Sequence, residues 1–338
     1  MITKFSVSNF KGFNEPFVFD LQKTNGYEFN TESIKNGVVN HAIIYGRNGV
    51  GKSNLGLAMF DIVRHLTDNE KDESQYQNYL NGFSDSQTAD FQYEFLIDSH
   101  IINYNYQKNN FSTIASEKFS IDGKVLAEID RRVTDEAVIR FKGAETLHRN
   151  LTNGNLSLLK YIKNNTQLES NEENKVLYKF LDFIDKMLFF KSLDYNMYLG
   201  LEVGNKFIYY DIIEKYNINN LERFLNAAGV DCELTVEGSL ADNWLAFDFN
   251  GRTVPFHSAA STGTKALTLF YFWLQKLKET TTVSFVFIDE FDAFYHHELS
   301  RLIVEELKKT GVQFILTTHN TSITVSYTHL TLPTTPYV

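Results

Sequence analysis

The 338-residue chain contains a single cysteine, Cys232, so no internal disulfide can form and stability must come from buried apolar surface. Cys232 itself reads as a small apolar core residue. The chain has no run of 18 apolar residues and no charged start followed by a short apolar segment, which leaves no candidate membrane span or secretory signal. The expected compartment is the cytosol, with no membrane partner. Positive charge is in short supply: 32 Lys and Arg against 42 Asp and Glu give a net charge of −10. That balance argues against a broadly basic nucleic-acid surface, and it leaves DNA contact to local pairs such as Arg131 with Arg132. No internal repeat and no long heptad pattern occurs, so a coiled-coil arm is not expected. His41, His296 and His297 lack the acid or cysteine spacing of a zinc site and read as surface or helix-start residues. A guanine-reading Asn-Lys-x-Asp motif is also missing, because Asn174-Lys175 continues as Val176-Leu177.

What is present is ample material for a core: 43% hydrophobic residues, including 29 Phe and 18 Tyr. The N-terminal part alternates as half-buried strands do, with Phe5 and Val7, then Phe17, Phe19 and Leu21. Three further alternating segments follow a polar stretch from Thr67 to Gln87: Phe91 to Ile97, Ile102 to Tyr106, and Phe119-Ile121 turning through Asp122-Gly123 into Val125-Ala127-Ile129. Asp-Gly between alternating runs is a strong hairpin signal, so an antiparallel layer is expected. From Asp135 to Gly229 the period becomes helical, with Leu177, Phe180, Leu181, Ile184 and Leu188 on one helix and Leu221, Phe224, Leu225 and Ala228 on another. Gly204-Asn205 marks a short hairpin turn within this stretch. Strands return from Leu240, with a turn at Asn250-Gly251. The expected organisation is one discontinuous α/β head, residues 1–134 and 238–324 forming the core and about 135–237 an inserted helical lobe.

The most specific segment is Gly46-Arg47-Asn48-Gly49-Val50-Gly51-Lys52-Ser53, a full match to the phosphate-cradling P-loop. It follows the apolar Val38 to Tyr45 and precedes Asn54 and a helical pattern of Leu55, Met59, Ile62, Val63 and Leu66, the strand-loop-helix context that the motif requires. Glycines let successive backbone N–H groups face a phosphate, and the helix N-terminus adds its positive end. Lys52 is placed to reach the β- and γ-phosphates of ATP and Ser53 to bind Mg²⁺. Downstream, the apolar run Val283 to Ile288 delivers Asp289 and Glu290 at its carboxyl end, as a buried parallel strand does. Asp289 then serves the metal, and Glu290 orients or deprotonates the attacking water. A second apolar strand, Val312 to Leu316, ends in Thr317-Thr318-His319-Asn320 after a helix bearing Leu299, Ile303 and Leu307, so His319 falls within reach of a γ-phosphate. Ser261-Thr262-Gly263-Thr264-Lys265 opens a helix carrying Ala266, Leu267, Phe270, Trp273, Leu274 and Leu277; it suits an anion, or serves as an ordinary cap.

In order, these motifs resemble those of an ABC-type ATPase head. Within that superfamily the chain resembles the branch of SMC, RecF and the OLD (overcoming lysogenisation defect) proteins, usually described as AAA family ATPases. Asn9-Phe10-Lys11 is similar to the branch's opening strand, Asn48 to its usual P-loop residue, Glu290-Phe291-Asp292-Ala293 with His296 to the stretch after the acids, and Ser261 to Thr264 to a shortened signature. The resemblance covers roughly residues 1–107 and 240–324. It implies a homodimer sandwiching two ATP molecules, in which Ser261, Gly263 and Thr264 act on the partner's nucleotide. It also implies an ATP-driven gate on a partner or fused effector, such as a nuclease or toxin, in phage defence or DNA maintenance. A RecF- or SMC-like repair ATPase is the alternative; a transporter subunit and a non-hydrolysing nucleotide-gated scaffold are further ones. No convincing glutamine couples site and lobe; Gln87 and Gln92 are the nearest.

The segment Val325 to Val338 lacks the apolar period expected after the His319 strand and resembles the translation of a transposase-type sequencing adaptor. Native sequence is therefore expected to end near Thr324 and to continue differently, with room for a Toprim nuclease domain. Amplifying the 3′ end of the gene from source DNA should return other codons after Thr324; recovering these same codons from the genome contradicts the expectation.

Overall fold

The computed structural model describes residues 1–23, 31–69, 76–192, 197–200, 208–216, 218–239, 242–278, 282–293, 297–319 and 329–331. From the N terminus run β1 (Ile2–Ser8), β2 (Phe17–Asp20), the short β3 (Ile34–Lys35) and β4 (Val38–Val39), and β5 (His41–Tyr45), which leads through the glycine-rich loop into α1 (Lys52–Leu66). Next come β6 (Ala89–Ile97), β7 (His100–Lys108), β8 (Ile114–Ile121), β9 (Lys124–Asp130) and β10 (Thr134–Ile139), then α2 (Leu158–Asn165) and α3 (Glu172–Asp185). The chain continues with β11 (Met187–Ser192), β12 (Met197–Gly200), α4 (Ile208–Asp211), a π-helical turn over Ile212–Tyr216 and α5 (Ile218–Ala227). A meander of β13 (Leu234–Ser239), β14 (Asp242–Phe249) and β15 (Arg252–Pro255) precedes α6 (Phe256–Ala259), α7 (Thr262–Lys278), β16 (Phe285–Ile288), α8 (His297–Thr310), β17 (Gln313–Thr318) and β18 (His329–Thr331).

Two sheets dominate. Seven antiparallel strands run in the order β10-β9-β8-β7-β6-β1-β2, and six run in the order β12-β11-β16-β17-β5-β18. In the second, β11, β16, β17, β5 and β18 pair in parallel, with β12 antiparallel at the edge. Strand period 2 sorts its side chains between two cores. Ala42, Ile44, Phe189, Phe285, Phe287 and Ile315 face the core shared with α1, α3 and the antiparallel sheet. Ile43, Leu188, Phe190, Val286, Ile288, Phe314 and Leu316 face the core shared with α5, α7 and α8. A sheet covered on both faces needs apolar residues at every position, which is why these strands read as continuous apolar runs.

The expected antiparallel layer and its hairpin at Asp122-Gly123 are found, with Ile121 opposite Lys124. The inserted region departs from its expected helical character. Leu188, placed with the α3 face by period, lies instead in β11, because α3 stops at Asp185 and Met187 to Phe190 pair with Phe285 to Ile288. The central sheet thus draws a strand from within residues 135–237, and the core is not confined to the flanking halves. Gly204-Asn205 lies outside the described residues, as does most of Val325 to Val338; its His329–Thr331 pairs with Ile43 to Tyr45 of β5.

Two contacts fix α1, the helix that carries the P-loop lysine. A Cβ on Gly56 would come within 2.8 Å of Phe189 Cζ and of Phe287 Cε1, so glycine lets the helix settle onto β11 and β16. On the helix's other side, Asp61 is fully buried and accepts hydrogen bonds from Lys108 Nζ (2.7 Å), Tyr106 OH (2.9 Å) and Tyr79 OH (2.9 Å). Lys108 is equally buried. Removing one member of such a pair strands a charge in low dielectric, whereas removing both charges does not. Lys108→Met should therefore cost about 3–5 kcal/mol in urea unfolding, and adding Asp61→Asn should recover most of that loss. A single-variant cost below about 1 kcal/mol, the range of an exposed pair, contradicts this account.

Candidate functional site

The glycine-rich loop turns out of β5 with Gly51 at φ 95°, a left-handed conformation at the N-cap of α1 that an L side chain rarely adopts. No acidic side chain occupies the first turn of α1, so the positive end of the helix is left for an anion. Arg47, Asn48 and Gly49 are exposed at the rim, whereas Gly46 and Lys52 are buried. The Lys52 ammonium bonds back to loop carbonyls, Gly46 O at 2.7 Å and Arg47 O at 3.0 Å. Burial lowers its pKa, and the charges of Asp289, Glu290 and Asp292 oppose that shift. A lysine held this way can exchange carbonyl oxygens for phosphate oxygens without a large movement of its backbone.

The acids arrive two strands away. Asp289 follows β16 directly and is 4% exposed; its amide donates to Phe190 O at 2.9 Å. Burial raises its carboxyl above the usual carboxylate range, against hydrogen bonds from Ser53 and Thr317 and the charge of Lys52. Glu290, exposed, sits at φ 46°, a left-handed conformation that costs a non-glycine residue about 1–3 kcal/mol. β17 lies between β16 and β5, so its end touches both motifs. Thr317 Oγ1 donates to Asp289 Oδ1 (2.5 Å) and accepts the Glu290 amide (2.8 Å), while Thr317 O accepts the Phe291 amide (3.1 Å). Thr318 Oγ1 donates to Asp292 Oδ2 (2.7 Å), and Thr318 O accepts the Gly46 amide (3.2 Å). His319 follows, exposed, and its charge is one that the Asp292 carboxyl feels.

Lys52, Ser53, Asp289, Glu290 and His319 are therefore brought together at the carboxyl ends of the neighbouring strands β5, β17 and β16. Ser53 and Asp289 offer a hydroxyl and a carboxylate, hard oxygen donors that fit Mg²⁺, an ion that takes few protein ligands and completes its shell with water and phosphate. Among the described residues no group of three or more His, Cys, Asp and Glu side chains could hold a metal. The signature lies elsewhere. Ser261 is the cap of α7, its Oγ accepting the Thr264 amide (3.1 Å) and lying 2.8 Å from Thr264 Oγ1. Gly263 sits in that first turn, and α7 packs in the core opposite α1.

Several sequence expectations change. Arg131 is spent within the fold, donating to Ile114 O, Leu151 O and Leu156 O, whereas Arg132 stays exposed and pairs at the surface with Asp130. Gln87 and Gln92 are exposed, each bonded to the residue two positions earlier. His41 is a core residue and not a surface one: it stacks on Phe314 at 4.6 Å, and burial lowers its pKa to about 4. Cys232 is half-buried. His296 lies outside the described residues. Thr317, Thr318 and Asp292 appeared in the sequence reading only as parts of longer motifs, with no role of their own; the signal was two hydroxyls closing an otherwise apolar buried strand.

The raised Asp289 carboxyl has a consequence for stability. The fold favours its protonated form, a contribution present at low pH and lost as pH rises through the raised value. At pH 7 the buried ion is a net cost, so Asp289→Asn should melt at a higher temperature than the wild type without nucleotide, the gap narrowing in acid. A variant that melts lower at pH 7 contradicts this assignment.

Among solved structures, the chain has matches at low identity. The SMC head domain from Thermotoga maritima is 16% identical with a TM-score of 0.45, over 98% of this chain and 94% of that one. An SMC head bound to the C-winged helix domain of ScpA is 14% identical with a TM-score of 0.49, over 98% and 94%. The recombination mediator RecF with ATP is 13% identical with a TM-score of 0.42, over 94% and 93%. No curated protein matches the chain significantly. The family comparison reaches further, because residues 42–326 match one family model, a range that includes Gly46 to Ser53, Ser261 to Lys265, Asp289, Glu290 and His319. The chain belongs to the family described as "AAA domain, putative AbiEii toxin, Type IV TA system".

Proposed function

We propose that this head binds ATP with Mg²⁺ and hydrolyses it, and that hydrolysis gates a partner or fused effector. The observation that carries the reading is the meeting of Lys52, Ser53, Asp289 and Glu290 at the carboxyl ends of neighbouring strands, with Lys52 and Asp289 both desolvated. Lys52 and the loop amides hold the β- and γ-phosphates, Glu290 takes the proton of the attacking water, and His319 lies where the γ-phosphate ends. Ser53 and Asp289 would hold Mg²⁺, which would supply charge neutralisation at the phosphate oxygens.

Two heads would sandwich two nucleotides, with Ser261, Gly263 and Thr264 acting on the partner's ATP. The family's description names a toxin and a type IV toxin–antitoxin system, which supports an effector-linked role in defence, as does the resemblance to OLD proteins. Of the example pair offered for DNA contact, Arg131 is engaged within the fold and Arg132 alone stays at the surface, which lends DNA binding little support. A cytosolic site of action fits, and no helix among the described residues is long and apolar enough to cross a membrane. The residues 1–324 would form one head, and 325–338 a segment foreign to it.

Glu290→Gln tests the reading. Steady-state hydrolysis should fall by about 10²–10⁴, Mg-ATP affinity should be unchanged, and sedimentation should show the variant trapped as a dimer with Mg-ATP. A variant with wild-type turnover, or a wild type that binds ATP without hydrolysing it, contradicts the proposal; the second outcome describes a nucleotide-gated scaffold.

A further inference from the structure

A threonine in a strand buried on both faces calls for a reason, because valine fills the same volume without a hydroxyl to satisfy. Thr317 is fully buried at the end of the run Phe314-Ile315-Leu316. Its hydroxyl has one proton and two lone pairs. The proton goes to Asp289 Oδ1 and a lone pair receives the Glu290 amide, so one oxygen atom touches both acids of the site. That atom moves little: χ1 of a β-branched side chain is stiff, and β17 is hydrogen-bonded to β16 on one side and β5 on the other.

Each contact has a distinct effect. The bond to Oδ1 fixes the rotation of the Asp289 carboxyl and leaves its other oxygen unclaimed by Thr317. The bond from the Glu290 amide anchors a peptide whose residue is in the left-handed region, and so sets the direction in which the Glu290 side chain leaves the turn. Because Thr318 O holds the Gly46 amide, the same strand end also fixes the mouth of the P-loop. We infer that Thr317 is a positioning residue of the nucleotide site, whose hydroxyl orients Asp289 toward the Mg²⁺ of Mg-ATP and holds the Glu290 turn. This rests on the ATPase reading above.

Thr317→Val keeps the shape and removes the hydroxyl; Thr317→Ser keeps the hydroxyl. ATP affinity is measured by fluorescent-nucleotide titration in Mg²⁺ and in EDTA, alongside kcat and KM and the unfolding temperature without nucleotide. Partners that orient a metal ligand typically contribute about 10–100-fold in metal affinity or activity. The valine variant should lose the gain in ATP affinity that Mg²⁺ brings, by about that factor, with affinity in EDTA unchanged. Its kcat should fall by a similar factor, and serine should restore both. A valine variant that keeps the Mg²⁺ gain, or a serine variant as poor as valine, overturns the inference. The Mg²⁺ gain is read without turnover, so a wild type that binds Mg-ATP but does not hydrolyse it defeats the hydrolysis reading separately. Should the valine variant fail to fold, Thr317→Cys, a weak hydrogen-bonder of near-serine shape, takes its place with the same expected direction.

Discussion

Everything at the site depends on β17 lying between β5 and β16 and being hydrogen-bonded to both. A strand in that position cannot be displaced without breaking two ladders and both cores, because Phe314 and Leu316 point into one and Ile315 into the other. It is the stiffest ruler available between the loop that cradles phosphate and the turn that delivers the acids. The hydroxyls and carbonyls of Thr317 and Thr318 then convert that stiffness into position for Gly46, Asp289, Glu290 and Asp292.

The second theme is desolvation without neutralisation. Lys52, Asp289 and Asp292 are all buried, and burial pushes each toward its uncharged form; the charges of the acids oppose this at Lys52, hydrogen bonds and the Lys52 charge oppose it at Asp289, and the Thr318 hydrogen bond opposes it at Asp292. Such a cluster is poor for stability and useful for binding a highly charged ligand, because preorganised charges in low dielectric need little reorganisation. The Asp61–Lys108 pair beneath α1 is the opposite case: its charges are matched, and hydroxyls of Tyr79 and Tyr106 complete the shell of Asp61. It ties the P-loop helix to the antiparallel sheet and takes no part in chemistry.

What could be read from sequence was local. The P-loop was legible because phosphate binding by backbone amides restricts residue types within eight consecutive positions. Asp289 and Glu290 were legible because a buried strand exposes polar groups only at its end, and the hairpin at Asp122-Gly123 because a two-residue turn dictates its own residues. Pairings between distant segments were not legible. β11 hides behind a helical period that Leu188 continues by coincidence, and only its pairing with β16 makes Met187 to Phe190 a strand. Arg131 looks like a surface charge until three distant carbonyls surround it. Thr317 looks like the frayed end of an apolar strand, because its importance lies in acids 27 and 28 residues away.

The central claim is that Lys52, Ser53, Asp289 and Glu290 form one nucleotide site governed by the end of β17. A crystal structure with Mg²⁺ and a non-hydrolysable ATP analogue tests it most directly. The account predicts the phosphates in the loop from Gly46 to Ser53, and the metal between Ser53 and an Asp289 still bonded to Thr317. A nucleotide bound elsewhere, or a metal on the phosphates with Asp289 turned away, would contradict it.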